Sequence, residues 1–328
     1  MKTFAYERAD SMAAALAAAA DPDTELIAGG TEAVNWLKEG IWAPDRLVDI
    51  TGLGLAEIES GPAGLRIGAL ARMSDVAAHP AVRDGYPVLA ESLLRAASPQ
   101  LRNMATIGGN LMQRTRCPYF RADSPLPCNK RVAGSGCSAR HGDTSAAALF
   151  GWNDGCVATH PSDLAVALAA LDATVVVRSE RGQRRIPATE FHRLPGDQPW
   201  LHNELRTGEL IEAVEVPAEP DPRGSHYLKV RERVSYEFAV TSAAAVVTLS
   251  GREITSARLA MGGVAHRPWR LAEAEQALVG RDIDDRAELL AAARLSFAGA
   301  RALPGNAYKL TLAPRTAVRA LRIAGGRR

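Results

Sequence analysis

The sequence predicts an α+β protein, with a larger first domain over residues 1–220 and a smaller α+β domain over residues 225–328. Three observations lead there. Short apolar strands alternate with alanine-rich helices, but not as the evenly repeated βαβ units of a doubly wound sheet. No Gly-x-Gly-x-x-Gly run opens a helix, which removes support for a Rossmann dinucleotide site. A proline-rich link, residues 217–224, separates two strand-forming segments in the way links between domains do.

The composition bounds the function classes. A chain of 328 residues is long enough to bury its own cores without staples. Its 39 basic and 37 acidic residues nearly balance, so nothing argues for nucleic acid or an anionic membrane as partner. No apolar run is long enough for membrane insertion. The first eight residues lack the apolar core of a signal peptide, so the expected compartment is the cytoplasm. In such a reducing compartment, disulfides are the least favoured use of cysteine.

In chain order, residues 4–6 read as a strand, and Ser11 caps an alanine-rich helix that Asp21-Pro22 stops. A buried strand at residues 26–28 runs into Gly29-Gly30-Thr31-Glu32 and a helical pattern ending near Lys38. Strand, double glycine and helix in that order place bare backbone N–H groups where phosphates bind. A tight turn capped by Thr31 is the plainer reading of the same residues. A strand at 46–50, a hairpin over 58–70 and helices at 73–78 and 87–97 follow, then the glycine turn Thr106-Ile107-Gly108-Gly109-Asn110. A helix over 161–171 begins with Ser162 and Asp163 in its first turn. A hairpin over 173–187, an irregular stretch at 195–207 and strands at 210–216 and 226–234 complete the first pass. The second domain reads as strands at 239–249 and 254–261, Gly262-Gly263, and helices at 268–279, 286–297 and 308–323.

All four cysteines, Cys117, Cys128, Cys137 and Cys156, fall between the glycine turn and the helix at Asp163. Ten, eight and eighteen residues separate them. Structural zinc usually draws on two close Cys-x-x-Cys pairs, and none exists here. A cubane iron–sulfur cluster accepts long irregular loops between its thiolates. Pro118, Pro125 and Pro127 stiffen this loop, while Gly134, Ser135 and Gly136 let it bend. Spacing alone leaves iron–sulfur, zinc and unligated or redox-active cysteines open. Arg114, Arg116, Arg121, Lys130 and Arg131 crowd the segment, either as a solvated basic loop or as compensation for anionic thiolates. His141 and His160 read as surface or capping residues. Asp163 either favours its helix N-terminus, an effect of about 0.3–1 kcal/mol, or accepts hydrogen bonds from a bound cofactor.

Taken together, these segments resemble the FAD-binding subunit of the molybdenum hydroxylase (xanthine dehydrogenase) family. The matching pieces are Ala28-Gly29-Gly30-Thr31-Glu32, Ile67-Gly68-Ala69-Leu70, Ala97-Ser98-Pro99-Gln100-Leu101-Arg102-Asn103, Thr106-Ile107-Gly108-Gly109-Asn110, Pro161-Ser162-Asp163 and Gly262-Gly263-Val264-Ala265. The resemblance implies an FAD-binding domain of the vanillyl-alcohol-oxidase (PCMH) type made of two subdomains, followed by a CO-dehydrogenase-flavoprotein-like domain. It implies that Ile27, Ala28, Gly29, Gly30, Thr31 and Glu32, then Thr106, Gly109 and Asn110, and finally Asp163, Ile211 and Lys229 bind FAD. The cysteine segment resembles the insertion, here about residues 111–158, that holds a 4Fe-4S cluster in the aldehyde oxidoreductase branch. That branch tends to carry Asn-Arg and a histidine where this chain has Thr144-Ser145-Ala146-Ala147. The implied partners are a 2Fe-2S small subunit and a molybdenum-cofactor large subunit in a heterotrimer. The large subunit would hold the substrate chemistry, and a signal-bearing partner could carry the complex to the periplasm.

Overall fold

The computed structural model describes residues 1–219 and 221–327. Position 220, inside the proline-rich link, and position 328 lie outside the described residues, so the expected domain ends at those two positions do too.

Three sheets organise the chain. The first is parallel, with β1 (Ala5–Arg8) and β2 (Thr24–Ile27) both paired to β3 (Arg46–Asp49) in the order β1-β3-β2. Parallel neighbours need crossovers, and helices Met12–Ala20 and Ala33–Lys38 supply them. The Ser11 hydroxyl accepts the Ala14 amide at 3.2 Å, which fixes the start of the first helix.

The second sheet has five strands: β4 (Ile58–Gly61), β5 (Gly64–Gly68), β6 (Thr174–Ser179), β7 (Gly182–Pro187) and β8 (Leu210–Pro217). Their order is β4-β5-β8-β6-β7, so the last strand in sequence occupies the centre. The third sheet, β9 (Ser225–Val230), β10 (Thr241–Ser250), β11 (Glu253–Gly262) and β12 (Trp269–Arg270), is antiparallel. Helices Ala272–Leu278, Arg286–Leu295 and Lys309–Ala324 share a separate apolar core with it.

Helix Asp163–Ala170 packs on β10 and β11 of the third sheet and shares one apolar core with the second, and every one of its residues is buried. Its sequence, apolar all round after Asp163, suits a helix enclosed on every side. The Ser162 hydroxyl caps it by accepting the Ala165 amide at 3.0 Å.

Some expected elements differ. The glycine turn is the short helix Ile107–Leu111, capped by Thr106, and it lies so close to Ala69 that a Cβ on Gly108 would stand 3.1 Å from it. The helix expected over 87–97 ends at Arg95, and Ala97 takes φ +50°. The strand expected over 226–234 ends at Val230. The helix expected from 268 begins at Ala272, since Trp269–Arg270 pairs with β11 first.

Candidate cofactor pocket and cysteine loop

A cavity of about 710 Å³ opens between the three sheets. β2 contributes Ile27 to its wall, β8 contributes Ile211 and β9 contributes Lys229. Ala28, Gly29, Gly30, Thr31 and Glu32 line it from one side, and Thr106, Gly109 and Asn110 from another. Asp163 reaches it from its buried helix. The structure thus brings all twelve residues expected to bind FAD to one cavity.

The two glycine turns are built against each other. A Cβ on Gly29 would stand 1.9 Å from the Met104 carbonyl oxygen, so only glycine allows the first turn to back onto the segment leading into the second. Gly30 follows in the left-handed region at φ +69°. The Thr106 hydroxyl accepts the Gly109 amide at 3.1 Å, and Asn110 Oδ1 accepts the Ser162 hydroxyl at 2.6 Å. These bonds fix the second turn to the buried helix.

The charged residues partner one another. Asp163 accepts hydrogen bonds from Lys229 Nζ at 2.7 Å and from the Tyr227 hydroxyl at 2.5 Å. Burial pushes its carboxyl up from the usual range, against the opposing pull of Lys229 and Tyr227. Glu32 is held by Arg116 at 2.8 Å and by Arg121, both from the cysteine loop. Its charge is therefore neutralised beside a turn suited to phosphate.

Further lining residues carry no signal in the sequence. Trp36 and Trp42 meet edge to face with ring centroids 4.6 Å apart, and the Arg114 guanidinium lies 4.8 Å from the first ring centroid and 5.5 Å from the second. Both indole N–H groups are buried with no hydrogen-bond partner among the described residues. Orphaned donors at a cavity wall fit a polar ligand that supplies the acceptors. Bare amides at Gly29 and Gly30, orphaned indole donors and apolar walls at Ile27 and Ile211 together fit a dinucleotide with an aromatic ring system.

The four cysteines are free thiols, and all four line one small void. Cys128 and Cys137 face each other across an antiparallel bridge. The backbone amides of Tyr119 and Phe120 beside Cys117, of Lys130 and Arg131 beside Cys128, and of Ala158 beside Cys156 favour the anionic sulfur and oppose the effect of burial. Amides directed at sulfur favour thiolates that hold a metal group. Burial raises the Cys117 and Cys128 thiols and pushes Cys156 up to about 12, so anionic sulfur here needs a bound cation. Among the described residues, no three His, Cys, Asp or Glu side chains converge closely enough for a single metal ion. The void as it stands is about 10 Å³, and the chemistry suited to a metal group here is that of the four thiols around it.

The loop has its own apolar core of Ala139, Ala147, Ala148, Trp152 and Val157. It is also tied to the second domain. The His160 amide donates to Ala265 O at 2.9 Å, and Lys309 Nζ donates to Ala147 O at 3.0 Å. His160 departs from the expected surface role: its ring lies 3.8 Å from that of His192 between centroids, and its Nε2 is buried. His141 is exposed, as expected.

Such a pocket, walled by strands of all three sheets, is of the kind a flavoprotein subunit needs. The family described as the FAD binding domain in molybdopterin dehydrogenase matches residues 2–219, and the CO dehydrogenase flavoprotein C-terminal domain matches residues 226–324. The chain belongs to this family, as an FAD-binding medium subunit and thus an oxidoreductase subunit. It is 47% identical over 320 residues to the aldehyde oxidoreductase FAD-binding subunit PaoB of Escherichia coli (strain K12), covering 96% of each chain. It is 26% identical to the carbon monoxide dehydrogenase medium chain of Afipia carboxidovorans, over 89% of this chain and 86% of that one. Among solved structures, quinoline 2-oxidoreductase from Pseudomonas putida 86 superposes with a TM-score of 0.75 at 26% identity, covering 99% of both chains. Among the described residues, no helix is long and apolar enough to cross a membrane.

Proposed function

We propose that this chain is the FAD-binding electron-transfer subunit of a molybdenum-dependent aldehyde oxidoreductase, with a 4Fe-4S cluster held by Cys117, Cys128, Cys137 and Cys156. In this reading it passes electrons from partner subunits carrying the molybdenum cofactor and 2Fe-2S centres to an external acceptor. The observation that carries it is the placement of four free thiols around one void, on a loop whose Arg116 lines the large cavity. Identity to an aldehyde oxidoreductase subunit supports the substrate class.

FAD, when bound, supplies the ability to exchange one electron or two. The chain's own residues bind and orient it. Gly29, Gly30 and Thr31 offer backbone amides to the pyrophosphate. Thr106 and Asn110 hold the second turn in place, and the Asp163–Lys229 pair presents fixed polar atoms at the far wall. No side chain of the pocket is assigned a proton-transfer role, which leaves substrate oxidation to the partner.

The test is absorbance and metal analysis of the full-length chain purified without its partners, whose 2Fe-2S centres would add iron of their own. The expected result is a flavin spectrum with a broad iron–sulfur shoulder and about four irons on this chain. One zinc and no iron would overturn the cluster, and absence of flavin would overturn the pocket assignment.

A further inference from the structure

Glu32 joins two segments 89 residues apart in sequence. It closes the Gly29-Gly30-Thr31 turn, where an unpaired carboxylate would repel a phosphate. Arg116 Nη2 meets Glu32 Oε2 at 2.8 Å, and Arg121 Nη2 meets Oε1. Arg121 Nη1 also contacts both oxygens of Glu39, at 2.8 and 3.1 Å. Exposed ion pairs contribute little, but the Glu32 and Arg121 side chains are only 11% and 13% exposed.

Both arginines flank the first cysteine. The Arg121 amide donates to Cys117 O at 3.1 Å, and its Nε to Thr115 O at 3.4 Å. Arg116 lines the large cavity and lies 4.5 Å from the Phe238 ring centroid. The strand of chain that carries Cys117 is thus also a wall of the cavity. Disorder there removes the countercharges of Glu32 and leaves a carboxylate facing the phosphate position.

We infer that Glu32, Arg116 and Arg121 form a clasp that couples the two cofactor sites, so that FAD is held tightly only when the cysteine loop is ordered by its cluster. The inference rests on the function proposed above. The three side chains are positioning residues for FAD. Linkage makes the effect reciprocal: bound FAD retains the cluster to the same degree.

The experiment uses the full-length chain, with FAD dissociation constants read from flavin fluorescence before and after anaerobic removal of iron by a chelator. In the wild type, removal of iron should weaken FAD by about tenfold, a usual size for coupling between sites. In Glu32→Gln no carboxylate is left to unmask, so FAD should stay within about twofold of the wild type with iron in place, and removal of iron should add less than about twofold. Arg121→Gln breaks the same pair from the other side, and the double variant should be no worse than either single one, as expected for partners in one interaction. Circular dichroism confirms that each variant folds, and either single variant suffices for the comparison. Equal weakening by iron removal in the wild type and the variants would overturn the clasp, as would none in the wild type, while the proposed function stood. A wild-type chain that binds no FAD would overturn both.

Discussion

Lys229 Nζ lies 2.7 Å from Asp163 Oδ2, and neither side chain exposes more than 5% of its surface. The pair joins β9 of the second domain to the buried helix of the first. A buried ion pair gains little over an apolar one, but breaking it leaves a charge without a partner. Lys229 also donates to the Arg95 carbonyl at 3.2 Å, and Tyr227 satisfies the other Asp163 oxygen. The junction between the domains is therefore electrostatic as well as apolar.

Lys229→Met should destabilise the chain by about 3–5 kcal/mol in urea unfolding at neutral pH. Adding Asp163→Asn should recover much of that loss, because no charge then remains. Burial raises the Asp163 carboxyl above its ordinary value even with Lys229 opposing it, so loss of Lys229 should raise it further. The deficit of Lys229→Met should accordingly be smallest below about pH 4, the unfolded carboxylate value, and grow as pH rises above it. A deficit that does not change with pH would contradict the assignment.

Gly29→Ala should cost at least about 1–3 kcal/mol, since its methyl would overlap the Met104 carbonyl and force the two glycine turns apart. Flavin content of the purified variant should fall with it. Gly85→Ala is the contrast: it has open space around it and ends a helix, so a gain of about 0.5–1 kcal/mol is expected. Thermal unfolding of the two variants side by side checks both signs.

Lys309 is buried under the cysteine loop, where it donates to Ala147 O and Gly263 O, and burial lowers its ammonium to about 8. Unfolded chain binds more protons here than folded chain between about pH 8 and 10.4, so this group adds stability as pH rises through that window. The contribution is complete above the unfolded value and is lost as pH falls through about 8. Lys309→Met should remove that pH dependence. The check is the difference between wild-type and variant unfolding free energies across the window.

Residues with a strong local signature were legible in the sequence. Ser11 caps its helix as expected, and the two glycine turns line one cavity, because such positions obey short-range chemistry; the caps at Thr106 and Ser162 emerge only in the structure. Trp36, Trp42 and Tyr227 escaped notice, since each gains its place only through partners distant in sequence. Glu32 was readable as part of a phosphate turn, but its arginine partners lie on the cysteine loop and no spacing rule links them. His160 read as surface because a lone histidine before proline has no periodic neighbours to declare it buried.

The central position of β8 in its sheet has a consequence for synthesis on the ribosome. The hairpins β4-β5 and β6-β7 each leave the exit tunnel before the strand that joins them. Both present an unpaired edge until residue 217 emerges. The cysteine loop, anchored on Val264, Ala265, Asn306 and Lys309, waits longer still. Its four thiols thus stay without their full anchorage in the nascent chain until Lys309 has emerged.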